Sequence, residues 1–159
     1  DLGPVICIDG DGGFQMNIQE LQTVKHYNLP LKIFIMNNDC YGIIKQFQDS
    51  YFDSRYIATE TQDYSVPDFV ELAKVYGIKA VHATKTNYKE VIRLALQEPG
   101  SILVNVIIDK EQKLTPKLEF GNPLEDMSPY LTDEQIKENM IINMIPRRDN
   151  SQGWVTLEK

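Results

Sequence analysis

A chain of 159 residues with 16 basic and 23 acidic side chains, net charge −7, has the size of one domain that buries its own core and repels a phosphate backbone unless its cations gather on one face. No such gathering is visible along the sequence, no apolar run approaches the roughly 18 residues of a membrane span, and the N-terminus lacks the basic and apolar regions of a signal peptide; nucleic acid and membrane are therefore not expected as partners, and a cytoplasmic location is. Cys7, in an apolar run, and Cys40, in a turn, make no disulfide framework and read as reduced thiols.

Asp1-Leu2-Gly3-Pro4 runs straight into an apolar segment with no Met start, so a fragment of a longer chain is expected. Val5 to Asp9 (VICID) predicts a strand buried on both faces of a parallel sheet. A helix should follow from about Asn17 to Tyr27, where Ile18, Leu21 and Val24 share a face and Asn17 with Glu20 has capping-box spacing. Leu31 to Asn37 (LKIFIMN) predicts a second buried strand and completes a β-α-β unit. A second helix should begin at Val66-Pro67, bury Phe69, Leu72 and Tyr76, and stop at Gly77. Lys79 to Ala83 is a weaker strand candidate. A third helix should run from Asn87, with Glu90 three residues on, to Pro99-Gly100, and Ile102 to Asp109 (ILVNVIID) reads as another buried strand.

This alternation predicts the α/β class, with an open, mostly parallel sheet and helices on both faces, over residues 1–113. Residues 114–159 read as an extended, proline-punctuated C-terminal tail with a short helix near Thr132 to Met144 and about a dozen loosely tied residues at its end.

The chemistry concentrates at two places. "IDGDGGFQMNIQEL" (residues 8–21) sets three glycines and two aspartates between an apolar and an amphipathic run, and no Lys or Arg occurs before Lys25. "IMNNDCYGI" (residues 35–43) ends the second strand. In a right-handed β-α-β unit two parallel strands can lie about 4.8 Å apart with their C-terminal ends at one edge. Asp11, past the first strand, and Asn38, past the second, can then reach one ion. Both are hard oxygen donors, suited to Mg²⁺ or Ca²⁺ rather than zinc. Gly10, Gly12 and Gly13 allow a sharp turn and close backbone approach, and a helix start aims unpaired N–H groups at the same place. With no cation nearby in sequence, a diphosphate bridged by Mg²⁺ fits better than a bare phosphate.

Other readings of the glycine loop fit less well. A P-loop requires a Gly-Lys-Ser/Thr ending that is absent. The dinucleotide pattern begins at Gly10 and Gly12 but has Gln15 at its third small position. An EF-hand loop would need glycine where Phe14 stands. A plain turn remains open for either motif alone, since Asp-Gly and Asn-Asn are good turn formers.

Gly10-Asp11-Gly12 with Asn37-Asn38 resembles the thiamine diphosphate signature. Together with "GDGGFQMNIQELQT", "NNDCYGIIKQFQ" and "VPDFVELAKVYGIKAV", it makes residues 5 to about 145 resemble the C-terminal, diphosphate-binding domain of acetolactate synthase large subunits. The resemblance implies an enzyme in which Asp11 and Asn38 bind Mg²⁺ through their side chains and Cys40 through its backbone carbonyl. Gly12 and Gly13 would offer backbone to the diphosphate, beside Gly10, and Gly42 and Ile43 would line the cofactor cavity. Phe14, Met16 and Tyr41 read as ordinary core or rim residues, and His26 and His82 have no motif around them.

By the same resemblance, the intact enzyme decarboxylates pyruvate and joins the two-carbon unit to a second 2-oxo acid to give acetolactate, as in branched-chain amino acid biosynthesis. It would work as a homo-oligomer, with FAD bound, if at all, outside this segment. The activating glutamate would come from another domain, so no catalytic residue is expected here and the isolated chain should be inactive. Phe47 stands where biosynthetic relatives carry tryptophan, which weakens 2-oxobutyrate as a preferred second substrate. The tail "GNPLEDMSPYL" is similar to relatives of surface polysaccharide synthesis, some of which use a nucleotide-linked keto-sugar as acceptor, and residues 114–131 could close over the site. Two further readings stay open: a non-catalytic binding or assembly domain and, more distantly, a nicotinamide oxidoreductase.

Overall fold

The structure is a computed structural model that describes residues 4–60, 62–120 and 122–144. It divides into two compact units, the first ending at Lys113 and the second beginning at Leu114.

In the first unit, strands β1 (Val5–Gly10), β2 (Leu31–Asn37), β3 (Lys79–Ala83) and β4 (Ile102–Ile107) form one parallel sheet in the order β1-β2-β4-β3. Helices α1 (Asp11–Gln15), α2 (Glu20–His26), α3 (Gly42–Tyr51), α4 (Phe69–Val75) and α5 (Tyr88–Gln97) connect and flank it. Alternate residues of a strand face opposite sides. Ile33, Ile35 and Leu103 therefore meet Phe14, Leu21 and Val24 from α1 and α2 and Phe69 and Ala73 from α4. On the other face, Phe34, Ile102 and Val104 meet Val91 and Ala95 of α5. Helices on both faces of a parallel sheet are what the alternating sequence predicts.

Three local expectations need correction. The first strand is not buried on both faces: β1 is an edge strand, with Ile8 70% and Ile6 48% exposed. Its apolar face on that side joins Met36, Ile92 and Leu96 along an open groove of about 750 Å³. Secondly, the helix expected from Asn17 is divided. The chain enters α1 directly after β1 and continues through turns in which Asn17 N–H donates to the Phe14 carbonyl and Glu20 N–H to that of Asn17. Only then does α2 begin, at Glu20, with no side-chain cap on its first turn. Thirdly, α3 is a full helix that the sequence reading left undefined.

The other elements follow the sequence closely. α4 starts one residue after Asp68, whose carboxylate accepts from the Val70 and Glu71 amides at 2.9 and 3.1 Å, a side-chain cap of the usual kind. It ends before Gly77, which adopts φ +69, a conformation that costs glycine nothing and other residues about 1 kcal/mol. Lys32 is the unexpected core residue. It is 1% exposed, and its ammonium donates to the carbonyls of Glu98 and Gly100 at the C-terminal end of α5.

In the second unit, Lys117 and Ser128 form an antiparallel bridge. Helix α6 (Asp133–Asn139) is closed by a reciprocal capping box between Thr132 and Gln135, within the stretch expected to be helical. The expectation for the last dozen or so residues lies outside the described residues. Among the described residues, no helix is long and apolar enough to cross a membrane.

Candidate functional site

The sheet register brings the two motifs to one edge. Gly10 pairs with Met36 at the C-terminal ends of β1 and β2, so Asp11 emerges opposite Asn37, one residue before Asn38. Asp11 is 3% exposed. Its Oδ1 accepts from the Gly12 amide at 2.7 Å, while its Oδ2 is buried with no hydrogen-bond partner. Burial pushes the Asp11 carboxyl above its ordinary range, against the pull of the Gly12, Asp39 and Cys40 amides and the Tyr64 hydroxyl that face it. A carboxylate from one strand tip thus lies against the backbone of the loop at the other.

That loop is tightly constrained. Asn37 is buried and its Oδ1 accepts from the Asp39 amide at 2.9 Å. Asp39 sits at φ +51. The Cys40 carbonyl accepts from Gly42 N–H at 2.9 Å, which leaves its second lone pair. The Cys40 thiol is buried, lies 3.9 Å from the Lys110 carbonyl, and is pushed upward in pKa by that burial. Asn38 packs beside Gly42: a Cβ there would lie 2.6 Å from the Asn38 Nδ2. Gly42 and Ile43 open α3, and Ile43 is 60% exposed.

The glycines act through space rather than through unusual torsions. Gly10 lies in extended backbone at φ −79, and a Cβ on it would meet nothing within 4 Å, so the approach to the chain there is open. Gly13 lies against the Asp9 carboxylate, 2.5 Å from where a Cβ would be. At Gly12 a Cβ would fall 2.2 Å from the Tyr41 Cε1. The Tyr41 ring cannot simply retreat, since it packs 4.3 Å from the Tyr64 ring. Gly12→Ala is therefore expected to destabilise the fold by about 1–3 kcal/mol through overpacking, read as a lowered thermal midpoint.

The nearby cations are already paired. Lys45, 6% exposed, holds Glu60 at 2.8 Å and Glu111 at 2.7 Å, and those carboxylates raise its pKa. Lys110 holds Asp39 at 2.7 Å. A diphosphate placed here would draw little from either. No group of three or more His, Cys, Asp or Glu side chains able to hold a metal occurs among the described residues. The donor set is one carboxylate oxygen without a partner, one amide and backbone carbonyls. Such a set fits a hard cation that takes its remaining oxygens from water and phosphate, and it could not hold zinc as a closed site.

The sequence reading missed Tyr64, Gln15 and Tyr41 as parts of this site. Tyr64 is buried at 9% exposure, receives a hydrogen bond from the Gln15 amide at 3.3 Å, and has its phenol pushed upward in pKa by burial and by Asp11. No signal in the sequence marks it, because it arrives from the loop between α3 and α4.

The fold is thus a parallel α/β domain whose strand tips set one buried, unpartnered carboxylate oxygen against a tight polar loop. The chain belongs to the family of C-terminal TPP-binding domains of thiamine pyrophosphate enzymes, whose pattern matches residues 2–106. Within that family it is similar to acetolactate synthase large subunits. That of Cyanidium caldarium is 38% identical over 124 residues, covering 77% of this chain and 21% of the relative. Isozyme 2 of Escherichia coli (strain K12) is 39% identical over 129 residues, covering 80% and 23%. Among solved structures, the thiamine diphosphate-dependent 4-hydroxybenzoylformate decarboxylase of Rhodococcus jostii RHA1 matches with a TM-score of 0.57 at 30% identity, over 67% of this chain and 20% of that one. The chain spans about a fifth of the length of the curated relatives it matches.

Proposed function

We propose that this chain is the diphosphate- and Mg²⁺-binding part of a thiamine diphosphate-dependent carboligase that makes acetolactate from pyruvate. The observation that carries the reading is the buried Asp11 Oδ2, without a partner at the tip of β1 and facing the Asp39–Cys40 backbone. A buried ionised oxygen with nothing to meet it costs free energy, and a cation removes that cost. Asp11 and Asn38 would hold Mg²⁺ through their side chains and Cys40 through its carbonyl. Gly10, Gly12 and Gly13 would give the diphosphate room against the backbone, and the exposed Ile43 would support the cofactor's body beside Gly42.

When bound, thiamine diphosphate supplies an electron sink for decarboxylation of a 2-oxo acid. The role of this chain is to bind and orient the cofactor; activation of its reactive carbon belongs to groups outside it. Similarity to acetolactate synthases supports pyruvate as donor, a second 2-oxo acid as acceptor and a homo-oligomeric assembly. The test has two parts. Calorimetry with thiamine diphosphate should show binding only when Mg²⁺ is present, and binding unaffected by the metal would refute the cation site. The full-length protein, given pyruvate alone and then pyruvate with a nucleotide-linked keto-sugar, should yield acetolactate by mass in both cases. A sugar adduct without acetolactate would refute the acceptor assignment.

A further inference from the structure

We propose that Lys110 is a positioning residue for the cation loop: its side chain and its backbone together hold Asp39 and Cys40, and so fix the direction of the Cys40 carbonyl. The inference rests on the Mg²⁺ reading above and extends it to the turn that leaves β4.

Topology puts this turn beside the loop. Asn37 pairs with Ile107 at the ends of β2 and β4, and the Ile108 amide donates to the Asn37 carbonyl at 2.9 Å. Two residues further along each chain, the Lys110 Nζ lies 2.7 Å from the Asp39 Oδ2. The Lys110 carbonyl lies 3.9 Å from the Cys40 Sγ, within reach of a weak S–H donor. One residue therefore touches both Asp39 and Cys40.

The loop it touches is held in an uncommon shape. Asp39 has φ +51, a left-handed conformation that costs a residue bearing a Cβ about 1 kcal/mol. Tyr41 has φ −76 and ψ 74, and the Gly42 amide donates to the Cys40 carbonyl at 2.9 Å, the geometry of an inverse γ-turn. The direction of the Cys40 carbonyl is thus set by a left-handed residue before it and a three-residue turn after it. The Asn37 side chain holds the Asp39 amide, and Lys110 holds the Asp39 carboxylate.

The turn itself is anchored along α3. The Glu111 amide donates to the Asp109 Oδ1 at 2.9 Å. Glu111 pairs with Lys45 at 2.7 Å, and Lys113 with Asp49 at 2.7 Å. Lys45 and Asp49 stand four residues apart, on one face of the helix. The signs alternate from pair to pair, so a shift of the turn by one pair would set like charges together. The Lys110 and Asp39 side chains remain 44% and 36% exposed, and such a pair contributes no more than about 1 kcal/mol to stability. Its effect should therefore fall on the loop rather than on folding.

The test uses the full-length protein with Mn²⁺ as the probe, free Mn²⁺ being read by electron paramagnetic resonance at saturating thiamine diphosphate. Lys110→Met and Asp39→Asn each break the pair, and asparagine tolerates the left-handed backbone. Each should weaken Mn²⁺ binding by about 10-fold. The double variant should be no weaker than either alone, Lys110→Arg should bind as the wild type does, and thermal midpoints of the metal-free proteins should barely move. A charge effect without positioning has the opposite pattern: losing the lysine cation would tighten Mn²⁺ binding, and losing the carboxylate would weaken it. Opposite signs, additive losses, or wild-type affinity in the single variants would overturn the role of Lys110 and leave the cation site standing. If one single variant does not fold, the other carries the measurement. Absence of cofactor-dependent Mn²⁺ binding in the wild-type protein would overturn the parent reading, and this one with it.

Discussion

Asp11→Ala should abolish Mg²⁺-dependent retention of thiamine diphosphate by the full-length protein, lowering cofactor affinity by at least about 100-fold. The magnitude follows because loss of an outer-shell partner alone typically costs 10–100-fold, and Asp11 would be the only carboxylate among the proposed ligands. The substitution should also change how the metal-free protein responds to pH. Burial raises the Asp11 pKa from its ordinary 3.8. Between that value and the raised one, the folded state binds more protons than the unfolded state, so this group's contribution to stability is greatest in acid and declines as pH rises through the window. Alanine has no proton to hold, and that part of the decline should vanish. Thermal midpoints measured with and without Mg²⁺ and thiamine diphosphate across the acid range would show both effects. A variant that keeps a cofactor-induced rise in its midpoint would contradict the assignment of Asp11.

The second large effect concerns the fold. Lys32→Met keeps the length of the side chain and removes its charge, leaving the Glu98 and Gly100 carbonyls without their donor. Charge-assisted hydrogen bonds contribute about 1.5–3 kcal/mol each, and orphaned buried acceptors add a desolvation cost. Methionine recovers part of the loss by packing, so a net destabilisation of about 3 kcal/mol is expected, or about 10–20 °C in the thermal midpoint for a unit of this size. Lys79→Met provides the contrast. Lys79 pairs with the Glu98 carboxylate at 2.7 Å but is 69% exposed, and its removal should cost no more than about 1 kcal/mol. Comparable losses in the two variants would show that burial is not what gives Lys32 its weight.

Much of the sheet was legible because buried parallel strands are short, continuous apolar runs, and β2 and β3 match their expected limits residue for residue. The same rule misjudged β1. Its residues are as apolar as those of β2, but its place at the edge leaves four of the six bare, and order within a sheet is not written in a single strand. α3 was missed for a related reason. It opens at Gly42 with no side-chain cap, Lys45 is its only buried residue, and Ile43 and Ile44 face outward. Asn17 and Glu20 have the spacing of a capping box, yet the turns continuing from α1 already use the backbone groups such a box would close. That Asp11 and Asn38 follow neighbouring strand ends was legible because the strand tips of a β-α-β unit converge by topology, whereas Gly42 came only with the family resemblance. Tyr64 could not be read in advance, since only the completed path of the loop after α3 brings it to Gln15.

That path bears on how the protein is made. The Gln15–Tyr64 bond closes a separation of 49 residues, whereas the strand tips meet across far less chain. Because the entropic penalty of ring closure grows only slowly with its length, the late contact is thermodynamically cheap to add, but it has to wait for its second half to emerge. A nascent polypeptide released just short of residue 64 already contains both strand tips, yet lacks the phenol that closes against Gln15.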